Sequence, residues 1–316
     1  RVGVLISSPA GNDLPFDSSQ CEQGRNFTNK IWNAFRLVNT WSVQEDLEQP
    51  ESSIKAIEWF GAKFNKELTK INEQYDQFKI SEALMTTYKL VWDDFCSWYL
   101  EMIKPGYQHP IDAKTLEATK TFFEQLLKVL QPFTPFVSEE LWHLIREREE
   151  DIIVAEWPKV ELYDDAILSQ FDLANEVITN IRNIRKKNNI ANKVKLDLFI
   201  KKNAELNQGF DSVIKKMGNL AVLEYTNEKV SNANSFIVNQ NEYFVPFGDV
   251  IDVEEEKAKM QEELEYTKGF LKSVQKKLSN ERFVAGAPEQ VVAVEKKKEA
   301  DALGKIAILE GKIEEM

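Results

Sequence analysis

The stretch Arg25-Asn26-Phe27-Thr28-Asn29-Lys30-Ile31-Trp32-Asn33-Ala34-Phe35-Arg36 sets Phe27, Ile31, Trp32 and Phe35 at three- and four-residue steps, and Val38 extends the series. Steps of that size line side chains along one stripe of a helix, so the segment reads as amphipathic, with one side committed to a core. Asn29, Lys30, Asn33 and Arg36 are left largely on another face. Upstream, Pro9-Ala10-Gly11-Asn12-Asp13 and Pro15 are turn formers, which puts the helix start near Ser18 or Ser19. Residues 1–17, with the apolar Val2 to Ser8, read as a linker leading into it.

The same period returns downstream. A second helix from about Glu51 to Phe78 is marked by Ile54, Ile57, Phe60, Phe64, Leu68, Ile71 and Tyr75. A third, Ile80 to Ile103, is marked by Leu84, Tyr88, Val91, Trp92, Phe95, Trp98 and Tyr99, and Lys104-Pro105-Gly106 stops it. A fourth spans Asp112 to Leu130; Pro132 and Pro135 then punctuate before a short helix from Ser138 to Arg148. Long amphipathic helices with short breaks describe an up-and-down bundle over residues 18–158. Trp32, Trp92, Phe95 and Trp98 fall at buried-face spacing and are expected in its core.

Beyond Glu156-Trp157-Pro158 the character changes. Leu168 to Lys187 reads as a helix, but Val194, Leu196, Leu198 and Ile200 alternate, as a strand with one buried face does. Further strand-like runs at Ala221–Tyr225, Ser235–Val238 and Glu242–Val245, with a helix near Ala204–Met217, predict a small α/β module over residues 159–251. From residue 252, Met260, Leu264, Leu271, Val274 and Leu278 follow heptad spacing amid Glu, Lys and Gln. After a turn near Phe283–Ala287, Pro288 suits a first helical position and Ile306, Leu309 and Ile313 repeat the spacing. The fold class expected is mainly α: a helical bundle, a small α/β module, and an antiparallel coiled-coil hairpin over residues 252–316.

The 316 residues are 43% hydrophobic, enough for about two ordinary domains with real cores. A start at Arg1 without a leader reads as an interior fragment, and no apolar run approaches the ~20 residues of a membrane span. Two cysteines, Cys21 and Cys96, within helical patterns fit a reducing, cytoplasmic setting. His109 and His143 lack Cys or His neighbours at ligand spacing, so no metal is expected. The acidic run Glu147–Asp151 reads as solvated surface. No phosphate loop, paired catalytic carboxylates or nucleophile motif stands out, so no catalytic residue is assigned. A net charge of −12 argues mildly against nucleic acid, yet Arg182–Arg185–Lys186–Lys187, Lys276–Lys277 and Lys296–Lys297–Lys298 could form local basic faces.

Several motifs carry a resemblance to a known family. The stretch Arg25 to Arg36 resembles the helix that opens the anticodon-binding domain of class I aminoacyl-tRNA synthetases of the valyl, isoleucyl and leucyl group. Trp92-Asp93-Asp94-Phe95-Cys96-Ser97-Trp98-Tyr99-Leu100-Glu101 and Pro132-Phe133-Thr134-Pro135-Phe136-Val137-Ser138-Glu139-Glu140-Leu141-Trp142 are similar to later helices of that domain. Ser7-Ser8-Pro9-Ala10-Gly11-Asn12-Asp13 resembles the stretch after the catalytic KMSKS loop. The tail selects the valyl branch: no cysteine follows Cys96, whereas isoleucyl enzymes commonly end in a cysteine-rich zinc module, and Lys276 to Val292 is similar to the turn of the valyl arm. Gly286 stands where that family often has lysine.

The resemblance implies a tRNA-gripping part, with valine activation by ATP and Mg, transfer and editing carried out by domains elsewhere in the same parent chain. It implies a monomer with no cofactor in these residues. It further implies anticodon contacts by Asn29, Lys30, Asn33, Arg36 and Leu37. Outer-corner contacts would come from Lys272, Lys276, Arg282, Lys296, Lys297 and Lys298, which position and charge suggest. The rival readings are a helical and coiled-coil protein-interaction scaffold, and the equivalent region of an isoleucyl-type enzyme.

Overall fold

The computed structural model describes residues 1–6, 18–201, 209–246 and 253–279, and beyond them residues 294–296, 298–300, 302, 303, 306 and 310. The chain divides into two compact units, Arg1–Pro246 and Phe247–Met316. No helix among the described residues is long and apolar enough to cross a membrane.

The first unit opens with α1 (Val2–Ile6) and α2 (Ser18–Asn39), followed by α3 (Glu51–Asp76). Next, α4 (Ile80–Lys89) runs through a π-helical stretch (Leu90–Tyr99) into α5 (Leu100–Ile103), and α6 (Ala113–Leu130) and α7 (Pro135–Ile145) complete the bundle. Its centre is aromatic. The Phe60 ring lies 5.3 Å from Phe95, 4.9 Å from Tyr99 and 5.0 Å from Phe122. Tyr99 is fully buried, and its hydroxyl is satisfied by the Thr119 hydroxyl at 2.9 Å. Asp112 caps α6 by accepting from the Thr115 N–H at 2.8 Å. Onto this core α2 docks with Phe27, Ile31, Ala34, Phe35 and Val38, and Phe27 stacks on Tyr88 at 4.6 Å. Two short parallel strands, β1 (Val43–Gln44) and β2 (Ile111–Asp112), pin the chain just after α2 to the start of α6.

Several sequence expectations shift. Val2–Ile6, read as linker, is helical and packs on α2 so closely that a Cβ on Gly3 would fall 2.0 Å from the Gln20 carbonyl oxygen. Residues 7–17 lie outside the described residues. The short helix begins at Pro135, a favoured first helical position, rather than at Ser138, and ends at Ile145 rather than Arg148. Trp32, Trp92 and Trp98 are half-buried rather than core, whereas Phe95 is buried as expected.

The same unit continues with α8 (Asp165–Lys187), β3 (Leu196–Lys201), α9 (Asp211–Met217), β4 (Leu220–Thr226), β5 (Ala233–Val238) and β6 (Asn241–Pro246). The strands form one sheet in the order β4-β3-β6-β5, with β3 parallel to β4 and antiparallel to β6. Phe171 of α8 ties this part to the bundle, with ring centroids 4.1 Å from Trp59, 5.4 Å from Trp98 and 5.5 Å from Phe210. The change of character after residue 158 is thus a change of element type inside one compact unit.

In the second unit, α10 (Val253–Leu278) buries Leu264, Thr267 and Val274 on one seam, with Leu271 and Leu278 half-buried beside it. Glu295 and Ala302 are buried in the same unit. Lys268 Nζ lies 2.8 Å from Glu310 Oε1, Gln275 donates to Glu299 at 3.2 Å, and Lys277 Nζ lies 4.0 Å from Glu295. The turn expected near Phe283–Ala287, and Leu309 and Ile313, fall outside the described residues.

Candidate nucleic-acid interface

The buried stripe of α2 decides what its other side presents. With 100° between successive residues, Asn29, Asn33 and Arg36 fall within about 60° of one another and span about 10 Å of axis. All three are exposed, opposite Phe27, Ile31 and Val38. A row of two carboxamides and a guanidinium on a helix backed by a packed core offers base-edge hydrogen bonding and a planar cation for phosphate or stacking. Arg36 lies in the last turn, where a cation suits the helix dipole, and the Thr40 hydroxyl donates to the Leu37 carbonyl at 2.7 Å as the helix ends.

Lys30 and Leu37 lie on the flank of that face and are half-buried. The Lys30 ammonium sits 5.4 Å from the Trp92 ring centroid, a cation–π contact. The sequence reading groups Lys30 with Asn29; the fold instead holds its charge against an aromatic ring 62 positions on.

Clustered charge at the end of α8 has another fate. Arg185 is buried, and its guanidinium donates to the carbonyls of Ala191, Val194, Gly218 and Asn219 at 2.7–3.3 Å. It holds the turn into β3 against the turn into β4. Arg182 lies over Trp98 at 5.2 Å, so of the four basic residues only Lys186 and Lys187 are exposed without an internal partner described here. Sequence reasoning also passed over two rings that are almost wholly exposed, Tyr107 at 90% and Phe136 at 89%. Neither belongs to a periodic pattern, and exposure was the signal needed. Such rings can stack on unpaired bases.

Within the π-helical stretch, burial pushes the Asp94 carboxyl up to about 7, against the opposing pull of Lys63, whose ammonium lies 3.8 Å away. In the second unit Lys272, Lys276, Lys296 and Lys298 are exposed, and Lys298 pairs with Glu295 at 2.8 Å. Arg282 and Lys297 lie outside the described residues. Exposed ammonium groups of this kind supply sequence-independent attraction to phosphate.

Comparison with known proteins gives one family match within each unit. Residues 58–200 match the family described as the anticodon-binding domain of tRNA ligase, and residues 252–316 match the valyl tRNA synthetase tRNA binding arm. The chain belongs to the valyl-tRNA synthetase family. It is 54% identical to a valine–tRNA ligase of Christiangramia forsetii over all of its length, and 50% identical to that of Parabacteroides distasonis over 99%. A more distant relative, the valine–tRNA ligase of Enterococcus faecalis, is 34% identical over 94% of the chain. The chain spans about a third (36%) of the length of each of these relatives. The anticodon-domain match begins at residue 58, so α2 and its exposed face precede it. The arm match and these relatives, valine–tRNA ligases all three, favour the valyl branch over the isoleucyl alternative.

Proposed function

We propose that this chain is the tRNA-recognition part of a valine–tRNA ligase, gripping its tRNA at two places. The observation that carries the reading is the presence, in one chain, of a match to an anticodon-binding domain and a match to a tRNA-binding arm. Residues 18–158 form the anticodon-binding bundle, residues 159–251 brace it, residues 252–316 form the arm, and residues 1–17 lead in from the catalytic core. Asn29, Asn33 and Arg36 meet the unpaired anticodon bases, with Lys30 and Leu37 at the edge of the contact. The arm is an antiparallel coiled-coil hairpin, a reading supported by Lys268 facing Glu310 while Gln275 faces Glu299 and Lys277 faces Glu295: later positions on α10 meet earlier ones on the returning segment. Lys272, Lys276, Arg282 and Lys296 to Lys298 meet the backbone at the outer corner of the tRNA. ATP-dependent attachment of valine, with ATP and Mg, belongs to the rest of the parent protein, a monomer of the cytoplasm.

Base contacts specify and phosphate contacts position, which gives the test. Asn33→Ala should lose about 1–3 kcal/mol of affinity for valine tRNA and lose part of its discrimination against an anticodon-swapped tRNA. An unchanged ratio between the two tRNAs removes Asn33 from base recognition.

A further inference from the structure

We propose that Glu139, His143 and Asp151 form a binding site for a divalent transition-metal ion of the zinc class on the outer side of α7. Glu139 and His143 are one helical turn apart and share a face, and Asp151 arrives from the segment after the helix. The three ligand atoms all lie within 4.8 Å of one another. His143 Nε2 is 3.2 Å from Glu139 Oε1 and 3.2 Å from Asp151 Oδ1. A tetrahedral zinc ion about 2.0–2.1 Å from each donor requires donors about 3.3 Å apart, the edge length of that tetrahedron. Both edges match it.

The donors are also oriented from behind. His143 Nδ1 lies 3.3 Å from the Arg148 carbonyl oxygen, which can only accept, so Nδ1 carries the proton and Nε2 is turned to the two carboxylates. A ring nitrogen lone pair between two carboxylate oxygens is a donor set that a bound metal cation satisfies. Glu139 Oε1 is meanwhile fixed by the Ile152 N–H at 2.9 Å. An imidazole anchored through its far nitrogen and a carboxylate anchored by a backbone donor are the outer contacts that metal ligands characteristically have. The segment is already folded back without the ion, because Trp142 Nε1 donates to the Glu150 carbonyl at 2.9 Å and the Arg148 guanidinium lies 3.7 Å over the Trp142 ring. Asp151 is exposed and the other two ligands are half-buried, leaving the fourth coordination position to water.

The test uses the untagged 316-residue chain, stripped with chelator and titrated with zinc against a chromophoric competitor, and with cobalt(II) followed by visible absorption. One equivalent of zinc, the bands of four-coordinate cobalt(II), and a higher melting temperature with zinc are expected. His143→Ala and Asp151→Ala should each lower the affinity more than about a hundredfold, beyond the 10–100-fold typical of an outer contact, while His109→Ala leaves it unchanged. Asp151 is exposed, so its variant keeps the test in hand should His143→Ala misfold. A chain that binds no zinc, or binds it equally well in the Asp151→Ala variant, overturns the proposal.

Discussion

Arg36 and Arg185 begin from the same sequence cue, a basic residue near the end of an amphipathic helix, and finish in opposite settings. Arg36 stands exposed beside Asn29 and Asn33, while Arg185 is buried and spends its donors on four backbone carbonyls. The difference lies in what each helix packs against. The core under α2 is aromatic, and Asn29, Asn33 and Arg36 face away from it; the end of α8 lies over two turns whose carbonyls accept from the Arg185 guanidinium. Charge in a sequence therefore marks capacity, and tertiary context decides whether it serves the fold or a ligand.

The largest expected effect breaks the comparison from the structural side. Arg185→Ala removes four hydrogen bonds from a charged donor and should cost about 3 kcal/mol or more in urea unfolding, because bonds to charged groups are the stronger ones. Arg36→Ala should stay within about 0.5 kcal/mol of the parent chain in the same experiment. Equal losses would erase the distinction.

A smaller and pH-dependent effect is expected at Asp94. Its carboxyl is held up to about 7 by burial, so from about pH 4 to about 7 the folded chain keeps a proton that the unfolded chain has released. Stability from this group is therefore present below the unfolded value and is lost as pH rises through the folded one. Asp94→Asn should melt higher than the parent chain above about pH 7, and the gap should close toward about pH 4. A gap independent of pH would mean that Asp94 does not titrate in this range.

Binding sharpens the comparison further. Arg36→Ala should weaken valine tRNA by about 1–3 kcal/mol, as a base or stacking contact would. Lys276→Ala, on the arm, should weaken every tRNA alike by a smaller amount and lower the salt slope by about one. A Lys276 effect confined to valine tRNA would move specificity into the arm.

Much of the bundle was legible because burial imposes a 3.6-residue period. Starts near Ser18 or Ser19 for α2, at about Glu51 for α3 and near Asp112 for α6 follow from local chemistry; α2 begins at Ser18, α3 at Glu51, and Asp112 is the cap of α6 rather than its first residue. The exposed row Asn29, Asn33 and Arg36 was legible for the same reason, being the complement of the buried stripe. Helix α1 was not, since five residues make fewer than two turns and only its close packing on α2 reveals it. Nor was the π-helical stretch: a wider turn shifts the phase of every side chain within it, so Trp92 and Trp98, spaced for burial on a regular helix, reach the surface and receive Lys30 and Arg182. The seam residue Thr267 was passed over because it is polar at a position the heptad reserves for apolar groups. The neighbours of His143 are carboxylates rather than Cys or His: Glu139 lies one turn before it and Asp151 beyond the helix, a pairing that ligand spacing of Cys and His does not reveal.

The most direct measurement of the central claim is the affinity of the chain for valine tRNA, for the same tRNA with its anticodon replaced, and for an unrelated tRNA, each at two salt concentrations. A preference for valine tRNA that disappears with the anticodon swap is expected, on top of a salt-sensitive affinity common to all three. Equal binding of all three tRNAs at both salts would contradict it.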